Sequence, residues 1–466
     1  MNRFPKEVYI ARRQKLKQLM GTGVLLFLGN EESSMNFKDN WYPFRQDSTF
    51  LYFFGLDMSG LTGIIHVDED QEVIFGDDIS TEDSVWFGTH PALQELADSV
   101  GVDRTRPKRD VAEVLKDIPL EHVHILPPYR PENLLKLSEW LGISTAAVSQ
   151  QVSEGFIQSV VALRSIKAES EIEEISRAVD LSVRMHKALM REARAGMYEY
   201  ELLGLVLKEA ASGGGSVSFP PIITTRGQIL HNHDYSHQLR EGGMLLGDFG
   251  AESAMHYAGD ITRTIPVGSV FSSQQKEIYQ MVLDAYQVAV QALRPGVFFK
   301  DVHLLACRTL AEGLKSIGLM KGDLDEAVVQ GAHALFFQCG LGHMMGMDVH
   351  DMEDLGEPFV GYTDTLKKST QFGLRSLRLG KQLETGFVLT IEPGLYFIPQ
   401  LMDQWEAAGL HKDFIDYKQV AHFRDFGGIR VEDAYQITPV GAKVLGDPLE
   451  ITVSEVETLR STVGIE

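Results

Sequence analysis

Cysteine, basic side chains and long apolar runs are all scarce in this chain of 466 residues. The two cysteines, Cys307 and Cys339, are too few for a disulfide framework or a thiolate metal site. Lys and Arg total 43 against 65 Asp and Glu, a formal net charge of −22 that disfavours nucleic acid and anionic membranes as partners. Apolar runs such as Val24–Leu28 have the length of a strand. Residues 1–20 show no secretory signal, so the sequence predicts a soluble cytoplasmic protein.

Short motifs that define several common enzyme classes are also missing. The sequence contains no HExxH zinc motif, no GxSxG nucleophile elbow and no GxxxxGK[ST] phosphate loop. Glycines 213–215 lack the strand and helix of a nucleotide site, so they predict a flexible loop. Residues 231–237 contain three histidines and could pass for a zinc tract, but their polar composition favours a loop. Within this loop we single out only His231, which directly follows an apolar pair.

The first third of the chain alternates short apolar runs with polar helical stretches. The runs with the composition of buried strands are residues 24–28, 63–67 and 123–126. The stretches with the pattern of helices are residues 93–100 and 131–141. This alternation predicts a small α/β domain over residues 1–155.

Residues 156–466 follow a different pattern. Helical spacing of apolar residues predicts a long helix that ends near Gly196, and a second helix is predicted from Ser272, where Ser272 and Gln275 form a capping box, to Pro295. Four blocks between and after these helices are rich in β-forming residues, namely residues 244–248, 257–265, 387–397 and 428–438. Helices packed on a mostly antiparallel sheet, an α+β fold, therefore fit this region better than a doubly wound sheet.

Four acidic residues stand in or beside these apolar strands. Asp248 closes one run and Asp260 opens the next strand. Glu392 ends a third run, and Glu432 lies within the last, on the same face as Arg430. Carboxylates are rarely buried unless they are paired or bind metal, and each pair 4 Å apart would repel by about 4 kcal/mol. Taken singly, each acid is better explained by an edge position or a salt bridge, but the four together favour a di-metal site with one imidazole ligand.

The glycine-rich segment 340–351 contributes two histidines. His343 could supply the nitrogen ligand and His350 could carry a proton, but their odd separation sends them to opposite faces of a regular strand. Both face one site only if the glycines bend the backbone. A lone histidine in an apolar run is more often a hydrogen-bonded structural residue. Cys339, four residues before His343, is expected to be a small packed residue.

The ordered set of candidate ligands resembles a known family. The set consists of Asp248, Asp260, His343, Glu392 and Glu432. It is similar to the ligand set of the di-metal pita-bread peptidases, the family of methionine aminopeptidase, aminopeptidase P and prolidase. Residues 44–55 resemble the signature of the N-terminal domain that aminopeptidase P and prolidase share, and residues 163–167 resemble the start of their catalytic domain. The resemblance implies a pita-bread catalytic domain over residues 156–466, preceded by the smaller α/β domain.

The resemblance also implies how the metals are bound. Asp248 and Asp260 would bind one ion, His343 and Glu392 the other, and Asp260 and Glu432 would bridge the pair. Family members most often use manganese, with cobalt or zinc also active. The expected reaction is hydrolysis of the peptide bond before proline, and a homodimer is expected.

Catalytic and substrate roles follow from the same resemblance. His231 and His350 would contact the substrate and the tetrahedral intermediate, and Glu392 would carry the proton to the leaving nitrogen. On the substrate side, Arg430 would support the bridging Glu432. Arg378 lies in residues 372–378, which resemble eukaryotic-type prolidases whose matching arginine binds the free carboxylate of a dipeptide.

These features favour an Xaa-Pro dipeptidase. A guanidinium fork suits a C-terminal carboxylate, whereas a longer peptide would continue through that space. The insertion at residues 401–426 is also prolidase-like, although any arginine, Arg378 included, is commonly a surface cation. The main alternative is an Xaa-Pro aminopeptidase (aminopeptidase P). An inactive pita-bread binding protein and a metal-free creatinase-like hydrolase are disfavoured because all five ligands are kept.

Three departures from the family pattern concern the substrate pocket. Asp248 and Asp260 are one residue further apart than is usual, and Cys339 replaces a histidine. The turn before His231 is shorter than in the family. We expect these changes to affect specificity more than hydrolysis.

Overall fold

Residues 3–461 of the computed structural model are described, and they belong to two compact units. The first unit comprises the chain up to Arg164 together with Met352–Phe359. The second comprises Ser165–Asp351 and the chain from Val360 onward. Within residues 3–461, no helix combines the length and the apolar composition of a membrane span.

The first unit is built on a five-stranded mixed sheet with the order β4-β3-β2-β1-β5. Its strands are β1 (Val24–Leu28), β2 (Thr62–His66), β3 (Gln71–Phe75), β4 (Arg104–Arg106) and β5 (Val123–Ile125). Its helices are α1 (Lys6–Met20), α2 (Ser48–Phe54), α3 (Thr81–Phe87), α4 (Leu93–Asp98), α5 (Val111–Lys116), α6 (Pro131–Leu141), α7 (Thr145–Gln151) and α8 (Glu154–Ser165), which crosses into the second unit, with 3₁₀ turns at Lys108–Asp110, Leu120–His122 and Glu353–Leu355. Val24 and Leu26 alternate inward from β1 and pack in one core with Leu115 and Leu137.

The second unit arranges long helices around small sheets. Its strands are β6 (Ser216–Val217), β7 (Ile222–Thr224), β8 (Met244–Phe249), β9 (Ala251–Glu252), β10 (Ile261–Pro266), β11 (Val388–Ile391), β12 (Gly394–Tyr396), β13 (Gly428–Arg430), β14 (Asp433–Thr438) and β15 (Gly441–Val444). Its helices are α9 (Glu169–Glu192), α10 (Glu199–Ser212), α11 (Ser273–Ala292), α12 (Phe299–Ser316), α13 (Leu324–Gln330), α15 (Pro399–Ala408), α16 (Tyr417–Val420) and α17 (Val453–Ser461), with 3₁₀ turns at Ala332–Leu335, Leu374–Ser376 and Ala421–Phe423. Helix α14 (Glu357–Val360) belongs to the first unit except for its last residue. The paired strands follow the orders β10-β8-β7, β11-β14-β15, β12-β13 and β6-β9. All of these pairs are antiparallel, as predicted.

The two predicted long helices are present, and one of them ends earlier than expected. At the start of α11, the hydroxyl of Ser272 accepts from the N–H of Gln275, and the side chain of Gln275 accepts in return from the N–H of Ser272, which confirms the capping box. Helix α9 ends at Glu192 because Ala193 already has an extended backbone. The prediction that Gly196 closes this helix is wrong, since its N–H donates instead to the carbonyl of Leu239.

Two of the four predicted strand blocks are each divided into two strands. Residues 387–397 form β11 and β12, which belong to different sheets, and the break falls at Glu392 and Pro393. Residues 428–438 form β13 and β14, and the break contains Glu432. Proline cannot donate to a ladder, which favours the first break. At the second break the N–H of Glu432 pairs with the carbonyl of Thr262 on β10.

Glycines 213–215 connect α10 to β6. Gly213 ends α10, and a Cβ on Gly215 would lie 2.1 Å from the carbonyl oxygen of Glu252. This close approach of two backbones allows β6 to pair with β9. Residues 213–215 thus form the predicted loop, and its flexibility stays a prediction.

Candidate metal centre and active-site cavity

Asp248 and Asp260 are brought together by the antiparallel pair of β8 and β10. Asp248 lies opposite Thr262 in this ladder, and Asp260 immediately precedes β10. Both aspartates are buried. The connection between the strands contains His256 with a left-handed backbone (φ 63°), and the ring of His256 bonds to Glu252. The chain thus turns sharply within the connection that joins the two strands.

The two glutamates are positioned by the strand breaks. The N–H of Glu432 donates to the carbonyl of Thr262 at 3.0 Å, and the hydroxyl of Thr262 donates to Glu432 Oε2 at 2.7 Å. The N–H of Glu392 donates to the carbonyl of Leu341 at 2.8 Å. Glu432 is thereby tied to the strand that follows Asp260, and Glu392 is tied to the segment that carries His343.

His343 lies in an irregular segment, so strand alternation does not apply to it. A Cβ on Gly342 would lie 2.0 Å from the carbonyl oxygen of Thr390, which shows how closely this segment approaches β11. His343 Nε2 lies 3.4 Å from Asp260 Oδ2 and 3.7 Å from Glu392 Oε1. Its Nδ1 lies 3.1 Å from the carbonyl of Met344. Because a carbonyl only accepts, Nδ1 carries the proton and Nε2 turns its lone pair toward the acids.

These residues line one cavity of about 310 Å³. Of the residues singled out from the sequence, those that line it are Asp248, Asp260, His343, Glu392, Glu432, His231, His350, Arg430 and Cys339. Arg378 is not among the described residues that line it. That residue is half-buried and follows the 3₁₀ turn Leu374–Ser376.

The buried guanidinium of Arg430 makes hydrogen bonds to the acidic cluster and its neighbours. Its Nη2 donates to Asp248, its Nη1 donates to the hydroxyl of Tyr396 at 2.9 Å, and its Nε donates to the hydroxyl of Thr262 at 3.1 Å. All three nitrogens of this buried guanidinium thus have partners inside the protein. The arrangement makes Arg430 a positioning residue for Asp248 and, through Thr262, for Glu432.

The donor atoms fit divalent cations. One ligand atom each from Asp260, His343 and Glu432 lies within 4.8 Å of the other two. Asp260 Oδ1 and Glu432 Oε1 are buried and have no hydrogen-bond partner. A buried carboxylate oxygen without a partner is costly, and a metal ion satisfies it. Carboxylate oxygens with one imidazole suit manganese and zinc.

The electrostatics of the cluster point to the same conclusion. Burial and the neighbouring Asp248 raise the pKa of Asp260 well above its ordinary value. Burial, with Asp260 and Glu392 nearby, does the same to the pKa of Glu432. Burial raises the pKa of Glu392 to about 7, although the adjacent His343 opposes this shift. Without cations these acids therefore favour protons, which divalent ions would replace.

The remaining cavity residues can contact a bound molecule. The ring of His350 packs edge-on against that of His343, with 4.3 Å between centroids, so both histidines face the cavity despite their odd separation. Desolvation lowers the pKa of His231, which keeps this ring neutral. Burial raises the pKa of the Cys339 thiol to about 12, so Cys339 is a thiol rather than a nucleophilic thiolate.

Sequence reasoning missed several residues that support the site. Thr262 links Glu432 to Arg430, and Tyr396 accepts from Arg430. A signal existed for Thr262, because strand alternation places it on the same side as Asp260. The buried ion pair between Lys167 Nζ and Asp351 Oδ2, at 2.7 Å, anchors the residue after His350. No local signal pairs two residues so far apart in the sequence.

Comparison with known families identifies the chain. The model of metallopeptidase family M24 matches residues 173–439, which is more than half of the sequence. The chain belongs to this family. A second model, the N-terminal domain of aminopeptidase P, matches residues 9–125 of the M24 protein.

Relatives of the M24 protein carry two activities in their names. The Xaa-Pro dipeptidase of Rattus norvegicus is 30% identical, with 97% of this chain and 93% of the relative covered. The Xaa-Pro aminopeptidase of Escherichia coli is 28% identical, with 98% of each covered. Among solved structures, aminopeptidase PepP of Pseudomonas aeruginosa has a TM-score of 0.82 at 26% identity over 100% of both chains. Zinc-substituted E. coli aminopeptidase P in complex with product has a TM-score of 0.81 at 27% identity over 99% of both.

These likenesses confirm the resemblance and the fold class predicted from the sequence. The M24 protein has an α+β pita-bread domain preceded by an α/β domain of the aminopeptidase P type. It is a member of a metallopeptidase family whose relatives are named for Xaa-Pro bonds. The dipeptidases and the aminopeptidases are about equally identical to this chain, so the comparison does not decide between the two activities.

Proposed function

We propose that this M24 protein hydrolyses Xaa-Pro dipeptides with two divalent metal ions, for which manganese is expected and cobalt or zinc are alternatives. The observation that carries the proposal is the buried cluster of four carboxylates and one imidazole in one cavity, with two carboxylate oxygens that lack hydrogen-bond partners. The proline specificity is supported by the rat and human Xaa-Pro dipeptidases, each 30% identical over at least 96% of this chain.

In this proposal five side chains hold the metals. Asp248 and Asp260 would hold one ion, His343 and Glu392 the other, and Asp260 and Glu432 both. The four carboxylates then carry a charge that two divalent cations cancel, which removes the cost of burying them together. When bound, the ions supply Lewis-acid activation of water and polarisation of the scissile carbonyl.

The protein's own groups perform the remaining tasks. Glu392 would accept a proton and deliver it to the leaving proline nitrogen. His231 and His350, which line the cavity, would donate hydrogen bonds to the substrate carbonyl as negative charge develops on its oxygen. Arg430 would keep Asp248 in place and reach the substrate only through that carboxylate.

The preference for dipeptides rests on the size of the cavity and on Arg378. Ligand cavities commonly measure about 300–1,000 Å³, so a volume of about 310 Å³ suits a small substrate. Arg378 follows the 3₁₀ turn Leu374–Ser376 and supplies a planar group for the terminal carboxylate. In the described structure it stands outside the cavity lining, so the clamp requires its side chain to turn toward a bound dipeptide.

The second candidate is an Xaa-Pro aminopeptidase that removes the first residue of longer peptides. Two solved structures similar to the whole chain, from E. coli and P. aeruginosa, are named aminopeptidases. The position of Arg378 outside the cavity lining also favours this reading, because an open carboxylate side would admit a longer chain.

The two activities separate in a direct assay. Chelated protein is given Ala-Pro or Ala-Pro-Ala, with and without added Mn²⁺, and proline or alanine release is measured. Cleavage of Ala-Pro alone, and only with metal, is the expected result. Release of alanine from the tripeptide would establish the aminopeptidase instead, and cleavage of neither peptide by metal-loaded protein would contradict both candidates.

The carboxylate clamp has its own test. We expect Arg378→Ala to raise the KM for Ala-Pro by about 10-fold or more, because it removes a charged hydrogen bond worth roughly 1.5–3 kcal/mol. Arg375→Ala is the matched control, since Arg375 is exposed in the same turn. Equal effects of the two substitutions would exclude Arg378 as the clamp.

The family resemblance also leads us to propose a homodimer. Light scattering coupled to gel filtration should then give twice the mass of one chain. A mass of one chain across a hundredfold range of concentration would contradict the dimer.

A further inference from the structure

A second buried cluster of metal-ligating side chains lies outside the active-site cavity. His303 and Cys307 stand one turn apart on α12, and His333 lies in the 3₁₀ turn Ala332–Leu335, which packs against that helix. All three are at most 3% exposed. One donor atom of each lies within 4.8 Å of the other two.

Most of the imidazole nitrogens in this cluster have no partner. Neither nitrogen of His333 makes a hydrogen bond, and Nδ1 of His303 makes none. His303 Nε2 lies 3.4 Å from Cys307 Sγ. A buried polar atom without a hydrogen-bond partner destabilises the folded state. A metal ion that accepts a lone pair from each ring would remove part of this cost.

The distances fit ligands that share one ion. With metal–sulfur and metal–nitrogen bonds of about 2.3 and 2.0 Å, a sulfur and a nitrogen bound to one ion lie about 3.5–3.7 Å apart. The 3.4 Å between Cys307 Sγ and His303 Nε2 is close to this range. His303 and Cys307 share a helix face because they are four residues apart, and His333 approaches from another element.

The charge of the three ligands favours Cu(I) over Zn²⁺. Imidazole binds a metal ion in its neutral form, so the two histidines add no charge to the site. With one thiolate and no carboxylate in the group, Cu(I) gives a neutral site, whereas Zn²⁺ leaves a buried net charge of +1. Thiolate and imidazole are both suitable ligands for copper.

We propose that His303, Cys307 and His333 form a buried site for one Cu(I) ion, separate from the M24 active site. Binding replaces the thiol proton of Cys307, so one proton leaves for each ion bound. The ring of His303 also packs near Phe337, which precedes Cys339 at the cavity wall by two residues. The ion therefore braces α12 against the segment that leads to His343, and hydrolysis does not pass through it.

The proposal is tested by titrating the full chain with Cu(I) against a chromophoric chelator, with Mn²⁺ in excess. We expect one Cu(I) per chain, X-ray absorption showing one sulfur and two nitrogen neighbours, and a raised melting temperature. Cys307→Ser should weaken binding by about 100-fold or more. Cys339→Ser, the same change at the other cysteine, should leave it intact.

Two further variants make the test independent of folding and of the proposed hydrolysis. His333→Asn should also lose Cu(I) while its circular dichroism spectrum stays native. Asp260→Ala, which removes a proposed active-site ligand, should bind Cu(I) normally. Equal Cu(I) affinity in the wild type and Cys307→Ser, or a loss of affinity only in Cys339→Ser, would overturn the site. Binding of Zn²⁺ without binding of Cu(I) would overturn the choice of ion.

Discussion

At the scale of single residues, Thr262 connects the charges of the proposed metal centre. Its hydroxyl donates to Glu432 Oε2 at 2.7 Å and accepts from Arg430 Nε at 3.1 Å. Arg430 in turn donates to Asp248. The Thr262 hydroxyl thus orients two proposed metal ligands, Glu432 directly and Asp248 through Arg430, without being a ligand itself.

We predict that Thr262→Val weakens Mn²⁺ binding by about 10- to 100-fold, as is typical when a partner of a metal ligand is removed. The valine keeps the shape of the side chain but leaves Glu432 and Arg430 each short of one hydrogen bond. Calorimetric titration of the chelated protein measures the affinity. Thr264→Val is the control, because the Thr264 hydroxyl bonds only to the backbone of Arg430. Equal weakening in both variants would contradict the role given to Thr262.

Glu392 makes the metal-free protein sensitive to pH. Burial raises its pKa to about 7 from an ordinary value of 4.5, so its contribution to stability is complete below about pH 4.5 and is lost as the pH rises through 7. The melting temperature of the chelated protein should therefore fall between about pH 4.5 and 7.5 and level off above that, and added Mn²⁺ should oppose the fall. Glu392→Gln should flatten part of this slope. An unchanged slope in that variant would show that folding does not raise the pKa of Glu392.

At the scale of secondary-structure elements, the breaks between strands build the site. Glu392 and Glu432 stand where the chain leaves one sheet for another. The sequence predicted both acids and their apolar surroundings, because period-two patterns and buried charges are visible locally. It did not predict the breaks, because the partner of the Glu432 N–H is Thr262, a residue far away in the sequence.

The same limit applies to the segment around His343. The sequence indicated that glycines must bend it, and the structure places both histidines at the cavity. The sequence did not show which glycine allows this bend. A side chain at Gly342 is excluded by the carbonyl of Thr390, which lies on another strand. The end of α9 was misjudged for a related reason, because Gly196 bonds to Leu239 rather than to its own helix.

We predict that Gly342→Ala lowers the free energy of unfolding by about 1–3 kcal/mol, since its Cβ would lie 2.0 Å from the Thr390 oxygen and the segment must shift. Mn²⁺ affinity should fall with it because His343 moves. Gly204→Ala, on α10 with no atom within 4 Å of the added Cβ, should be neutral or stabilising by up to about 1 kcal/mol. Chemical denaturation of both variants makes the comparison. Native stability in Gly342→Ala would show that the segment adapts freely.

At the scale of the whole molecule, the net charge of −22 sets the long-range field. Such a field attracts cations and repels anions over about 10 Å at 0.1 M salt. For the proposed dipeptidase we predict a higher kcat/KM for Lys-Pro than for Glu-Pro at low salt, by a factor of a few. The ratio should shrink toward unity as salt is raised. A ratio that is independent of salt would place the preference in local contacts instead.

The order of the proposed ligands along the chain has a consequence for biosynthesis. Asp248 and Asp260 leave the ribosome first, and Glu432, which the hydroxyl of Thr262 orients, leaves last. A nascent chain that ends before β13 contains both aspartates but neither Arg430 nor Glu432. At that stage only protons relieve the repulsion between the two aspartates. Metal capture would then be a late event, and a newly made chain would carry protons in this cluster until its final strands pair.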